Sequence, residues 1–142
     1  MTPKPLYHLI AHRLGAALFI GAAALAALPA AQAATPAEML AGYTAQAGAP
    51  AQAARGQAFF TSKHGKDWSC SSCHGAVPTQ AGKHASTGKV IGALAPAFNA
   101  DRFTDATKTE KWFRRNCNDV VGRECSAGEK ADLLAWLLTL KA

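Results

Sequence analysis

Acidic residues are scarce in this sequence: 9 Asp and Glu stand against 15 Lys and Arg in 142 residues, a formal charge of +6. The cations are scattered, so a nucleic-acid surface finds no support. A moderately basic face suits an acidic protein partner instead. Methionine is scarcer still, with only Met1 and Met39. No Gly-rich phosphate loop appears, and no run of alternating β-branched residues suggests a sheet. The apolar run Leu14–Leu28 has 15 residues, and Pro29 and Gln32 end it early for a spanning helix.

That run belongs to a leader. Lys4 and Arg13 form a short basic opening, Leu14–Leu28 the apolar centre, and Ala31-Gln32-Ala33 a small-x-small cleavage site. Residues 1–33 therefore read as a cleaved signal peptide and residues 34–142 as one small domain. Losing Lys4 and Arg13 leaves 13 cations against 9 acids, a mature charge of +4. The expected location is the periplasm, with no stable membrane insertion after cleavage. There, thiols are either oxidised or covalently occupied.

The mature pattern is helical. Thr35-Pro36-Ala37-Glu38 opens a first helix with an N-cap Thr, Pro at the first position and a capping Glu. Met39, Leu40 and Tyr43 give it an apolar side, and Gly48-Ala49-Pro50 stops it. A second helix is expected over roughly 51–62, with Gly56 and Phe60 four apart. A third is expected to start at Thr104 as N-cap, with Asp105 in its first turn, and to reach about Asn116. The last opens on the capping box Ser126-Ala127-Gly128-Glu129, and Leu133, Trp136, Leu137 and Leu140 follow at helical spacing. Between Lys63 and Ala100 the chain is rich in Gly, Pro, Ser and Thr, without periodicity. A loop of that length needs something large to organise it.

Cys70-Ser71-Ser72-Cys73-His74 supplies it. C-x-x-C-H is the attachment pattern of c-type haem. Two thiols three residues apart reach the two vinyl groups on one porphyrin edge as thioethers, and the following His becomes the proximal iron ligand. Export supports the reading, because attachment follows it. A thioredoxin-like dithiol would want a βαβ context that is absent here. A zinc site joining Cys70 and Cys73 with Cys117 and Cys125 suffers from the wide spacing of the second pair. The helical frame itself resembles the class I cytochrome c fold: Gly56 and Phe60 match that family's Gly-x-x-x-aromatic pair, and Trp136 lies where an aromatic of the last helix packs against it. The expected fold is thus all-α, with three to four helices wrapped around one covalent haem c.

Ordinary carriers of that fold use a downstream Met as the distal ligand, which this sequence lacks. His64 and His84 are alternatives, and would make a plain bis-His electron carrier. Asn116, one helical turn after Trp112 and Phe113, is another. An amide at that place is either a hydrogen-bonded core residue or an iron ligand, and the residues alone leave this open.

The segments Asp101-Arg102-Phe103-Thr104-Asp105, Lys111-Trp112-Phe113-Arg114-Arg115-Asn116-Cys117-Asn118, Gly122-Arg123-Glu124-Cys125 and Gly128-Glu129-Lys130-Ala131-Asp132 resemble the sphaeroides haem protein family. The resemblance covers the mature chain. It implies Asn116 as distal ligand opposite His74 and a disulfide between Cys117 and Cys125. It also implies binding of O2 and other diatomic ligands such as NO and CO, with a dihaem cytochrome c and a membrane cytochrome b as redox partners. Counting agrees on the disulfide, since Cys117 and Cys125 are the pair left once Cys70 and Cys73 hold haem. No acid–base pair beside the haem is legible, so an electron-transfer and oxygen-binding role ranks above a small peroxidase or NO-detoxifying enzyme.

Overall fold

The computed structural model describes residues 33–142, together with Met1; residues 2–32 of the leader, and its cleavage, lie outside the described residues. Helix α1 spans Pro36–Ala47. The Glu38 backbone N–H donates to Thr35 Oγ1 at 3.1 Å, and the Thr35 N–H donates back to the Glu38 carboxylate at 2.7 Å. Gly48 ends the helix at φ 64°, a left-handed turn that glycine adopts without strain. Helix α2 (Ala53–Thr61) starts later than the pattern suggested. Gln52 caps it without using its side chain, and the Gln52 N–H instead donates to the Asp132 carboxylate at 2.6 Å.

The middle segment is not structureless. It holds a five-residue helix, α3 (Cys70–His74), and a minimal antiparallel pair, β1 (Gly82–Lys83) with β2 (Val90–Ile91), followed by a 3-10 turn at Pro96–Phe98. Helix α4 spans Ala106–Val120, and α5 spans Ala127–Thr139. The cap of α4 is Asp105, whose side chain accepts the Lys108 N–H at 2.9 Å, rather than the expected Thr104. The Thr104 hydroxyl is already donated to the Asp101 carbonyl, in the tight turn where Phe103 sits at φ 60°. The helix also continues four residues past Asn116, because Cys117 and Val120 have buried sites to fill. Ser126 and Glu129 cap α5 as their spacing demands, and Arg123 forks onto Glu129 at 2.8 and 2.6 Å.

The core lies where α1 and α2 pack on α5. Phe60, Leu134 and Leu137 are fully buried, with Met39, Tyr43, Leu133 and Trp136 around them. Gly56 permits the crossing of α2 over α5: a Cβ there would collide with the Asp132 carbonyl and the Leu133 amide nitrogen. Phe60 then meets Trp136 with ring centroids 4.9 Å apart. Asp132, itself buried, accepts a two-point fork from Arg55 at 2.6 and 2.9 Å and ties the start of α2 to α5. No described helix is long and apolar enough to cross a membrane.

Candidate functional site

One helical turn sets the spacing of the site. In α3, Cys70 and Cys73 are three apart and share a face, and His74 follows directly. The turn is held at its start by the Ser69 N–H donating to Ser72 Oγ at 3.0 Å. Both thiols are free and half-buried. Cys73 Sγ accepts the Ala85 N–H at 3.3 Å, and a Cβ on Gly82 would collide with the Cys73 carbonyl. The β1–β2 hairpin thus lies directly on α3, and only glycine fits at that approach. Pro78, fully buried, closes the base of this loop by accepting the N–H groups of Leu94 and Ala95 at 3.0 and 3.1 Å.

His74 is half-buried, with its ring 6.2 Å from that of Phe60. Burial, with the Arg102 charge adding, pushes its pKa down to about 4, so the imidazole is neutral at pH 7 and keeps a lone pair for a metal. Arg102 is fixed by donating to the carbonyls of Ala93 at 2.8 Å and Gly92 at 2.7 Å. The motif gives no sign of Arg102, Gly82 or Pro78; each acts through backbone carbonyls distant in sequence.

The rival uses of these cysteines meet obstacles. Burial pushes the Cys70 thiol up to about 11, the reverse of an activated redox dithiol. Cys117 and Cys125 are bridged, with Cα atoms 5.6 Å apart, and the described residues contain no group of three or more His, Cys, Asp or Glu suited to hold an ion. Two free thiols on one helical face, next to a neutral and partly buried imidazole, fit haem c. Large apolar side chains left at the protein surface come from the flanking loops and α4: Trp68, Val77, Val90, Phe98 and Trp112.

The structure divides the candidate distal ligands. His64 Nε2 lies 2.9 Å from the Phe59 carbonyl, and its ring stacks on Phe59 at 4.4 Å. His84 Nδ1 accepts from the Ser86 N–H and lies 3.1 Å from the Ser86 hydroxyl, within the hairpin turn. Asn116 is exposed on α4, and its side chain has no hydrogen-bond partner among the described residues. The expected apolar side of this helix is only partly realised. Phe113 packs against Tyr43 and Phe103, at 5.8 and 6.2 Å, whereas Trp112 stays 44% exposed with the Arg115 guanidinium 5.8 Å over its ring. Asn116 is therefore not a hydrogen-bonded core amide. Asn118, by contrast, spends its amide on the Arg114 carbonyl at 2.8 Å.

Helical frame, C-x-x-C-H turn and neutral imidazole together define a monohaem c-type cytochrome of the class I kind. A family model described as a domain of unknown function (DUF1924) matches residues 46–137. The Cytochrome c-type protein SHP of Cereibacter sphaeroides is 57% identical over 107 residues, 72% of this chain and 82% of the relative. Cytochrome c'' of Methylophilus methylotrophus is 47% identical over 88 residues, 59% of this chain and 61% of the relative. Among solved structures, oxidised SHP, described as an oxygen-binding cytochrome c, superposes with a TM-score of 0.72 at 54% identity, covering 76% of this chain and 99% of the other. A solution structure of cytochrome c'', concerned with haem-ligand detachment, gives 0.64 at 39% identity, covering 75% and 94%. The chain belongs to the sphaeroides haem protein family, within the DUF1924 grouping, and its cofactor is haem c.

Proposed function

We propose that this is a periplasmic electron-transfer cytochrome whose distal ligand, Asn116, is released on reduction to admit a diatomic ligand. Residues 1–33 are the leader that exports it, and residues 34–142 the working domain. Cys70 and Cys73 would hold the haem through thioethers, and His74 would ligate its iron through the neutral imidazole. Haem c, when bound, would supply one-electron exchange and an iron that can take a diatomic ligand. Asn116 would be the second, weaker protein ligand: an uncharged amide oxygen is a hard donor, better matched to Fe(III) than to Fe(II). Asn116 would therefore be held less firmly than His74 once the iron is reduced, since imidazole suits both states.

The observation that carries this reading is the Asn116 amide, exposed and without a protein partner, on the turn that the Cys117–Cys125 bridge restrains. His64 engages Nε2 with the Phe59 carbonyl and His84 engages Nδ1 with Ser86, so each ring sits in a local contact on its own loop. A relative described as oxygen-binding, and another studied for haem-ligand detachment, support the same chemistry here. With 13 cations against 9 acids in residues 34–142, the matching redox partner offers an acidic surface. The dihaem cytochrome c and membrane cytochrome b implied by the family are the candidates. Reduced-minus-oxidised spectra of the holoprotein, with and without CO, test the reading. Six-coordinate ferric haem, five-coordinate ferrous haem and fast CO binding support it; ferrous haem that remains six-coordinate and binds CO slowly refutes it.

A further inference from the structure

Helix α4 carries Asn116, and it is seated differently from α1, α2 and α5. Helices α2 and α5 pack through the fully buried Phe60, Leu134 and Leu137, and α1 lays Met39 and Tyr43 against the same core, whereas the buried residues of α4, Cys117 and Val120, both lie near its C-terminal end. Its first half is held by a polar cluster. The Tyr43 hydroxyl of α1 donates to Glu110 Oε1 at 2.6 Å, and Lys130 Nζ of α5 donates to Glu110 Oε2 at 2.7 Å. Lys130 Nζ also lies 5.5 Å from the Tyr43 ring centroid and 5.7 Å from that of Phe113, and the two rings meet edge-to-face. Each oxygen of one carboxylate is thus taken by a different helix. Burial raises the Glu110 pKa, but the hydrogen bonds from Lys130 and Tyr43 outweigh it and leave the group ionised.

Charge-assisted hydrogen bonds fix a helix's rotation and register, which apolar contact alone leaves freer to slide. Glu110 lies six residues before Asn116, about 9 Å along the helix axis at 1.5 Å per residue. Cys117, the residue after Asn116, is tethered to Cys125. The distal turn therefore lies between two anchors, one polar and one covalent.

We propose that Tyr43, Glu110 and Lys130 form a clamp that seats α4 and thereby sets how strongly Asn116 competes for the distal position. They are positioning residues, and the proposal rests on the assignment of Asn116 as distal ligand. Releasing the clamp lets the first half of α4 rotate and weakens Asn116 as a competitor, while Cys70, Cys73 and His74 stay in place.

The test is a titration of the ferric holoprotein with imidazole, followed in the Soret band, with urea unfolding measured on each variant. Glu110→Gln and Lys130→Met should each tighten apparent imidazole binding about 5-fold, equivalent to ~1 kcal/mol, the net worth of one such hydrogen bond. Tyr43→Phe keeps the ring, removes only the hydroxyl and should shift binding in the same direction. Lys130→Arg should restore affinity to within about twofold of the parent. Asp132→Asn, at the α2–α5 crossing, should lower stability without moving imidazole affinity. Unchanged or weakened imidazole binding in Glu110→Gln, Lys130→Met and Tyr43→Phe overturns the clamp, as does an equal shift in Asp132→Asn. Asn116→Ala separates the two levels of the argument. If it leaves imidazole affinity unchanged, the distal assignment fails and the clamp with it. If it tightens binding and the clamp variants do not, only the clamp fails.

Discussion

Replacing Gly56 by Ala probes how the frame holds its site. In an open helix this change stabilises by about 1 kcal/mol, because Ala is the better helix former. Here the added Cβ meets backbone, the Asp132 carbonyl and the Leu133 amide nitrogen, and neither can swing aside as a flexible side chain would. Relief requires α2 and α5 to separate along their shared length. Overpacking of this kind costs about 1–3 kcal/mol, and against backbone the upper end applies. Separation also slackens the pair Phe60 and Trp136, whose rings now lie 4.9 Å apart and largely exclude water. Fully exposing a side chain of that size would cost about 1.5–3 kcal/mol more, and a partial opening a fraction of it. After the helix-propensity gain, the expected net loss is about 2–3 kcal/mol, a fall in Tm on the order of 10 °C for a domain of this size. Urea unfolding of the holoprotein, read by far-ultraviolet circular dichroism and the Soret band together, measures it. Phe60 also neighbours His74, so the Soret signal should lose cooperativity with the helical signal. A variant as stable as the parent would mean that the two backbones do not approach at Gly56, and the packing argument would fail.

Replacing Cys117 and Cys125 together by Ser removes a nine-residue closed loop and should cost about 2.6 kcal/mol by the chain-entropy relation, checked by denaturant midpoint at constant slope. The Arg55 hydrogen bond, with that of the Gln52 N–H, holds the Asp132 carboxyl below its ordinary 3.8 despite its burial. Its contribution to stability is therefore full above pH 3.8 and is lost as pH falls through the depressed folded value; Asp132→Asn should flatten that acid limb in a pH series of urea midpoints. Intact-mass measurement of protein matured in a periplasm should give the chain from Ala34 plus one haem, less two hydrogens for the disulfide. Haem released by acid and acetone would contradict the thioether assignment.

What was legible in the sequence was local. The capping boxes at Thr35–Glu38 and Ser126–Glu129 specify two helix starts through pairs three residues apart, and both form. The C-x-x-C-H pattern carries its own geometry, since one helical turn suffices to align two thiols and an imidazole. The resemblance of Gly56, Phe60 and Trp136 to the class I cytochrome c pattern pointed to the α2–α5 crossing, and the structure adds the reason, a backbone approach that a Cβ at Gly56 would block. Less legible were features set by partners far along the chain. Thr104 has the residue type of a cap, but its hydroxyl serves the Asp101 carbonyl and leaves Asp105 to cap α4. The helix passes Asn116 because Val120 and Cys117 find burial that no local signal encodes. Tyr43 and Glu110 are 67 residues apart, and nothing in either neighbourhood marks them as a pair. Arg102 influences His74 only after the loop folds back through Gly92 and Ala93. Asn116 was legible as a candidate, but its exposure and its missing protein partner were not.

The ferric spectrum of three holoprotein variants, Asn116→Ala, His64→Ala and His84→Ala, tests the central claim most directly. The account expects Asn116→Ala alone to convert six-coordinate ferric haem with an amide ligand into a five-coordinate or water-bound form, with helical content unchanged. The two histidine variants should keep the parent spectrum, because on this account Asn116 and neither histidine is the distal ligand. An unaltered spectrum in Asn116→Ala, together with a changed one in His64→Ala or His84→Ala, would contradict the account and make this protein a bis-His electron carrier.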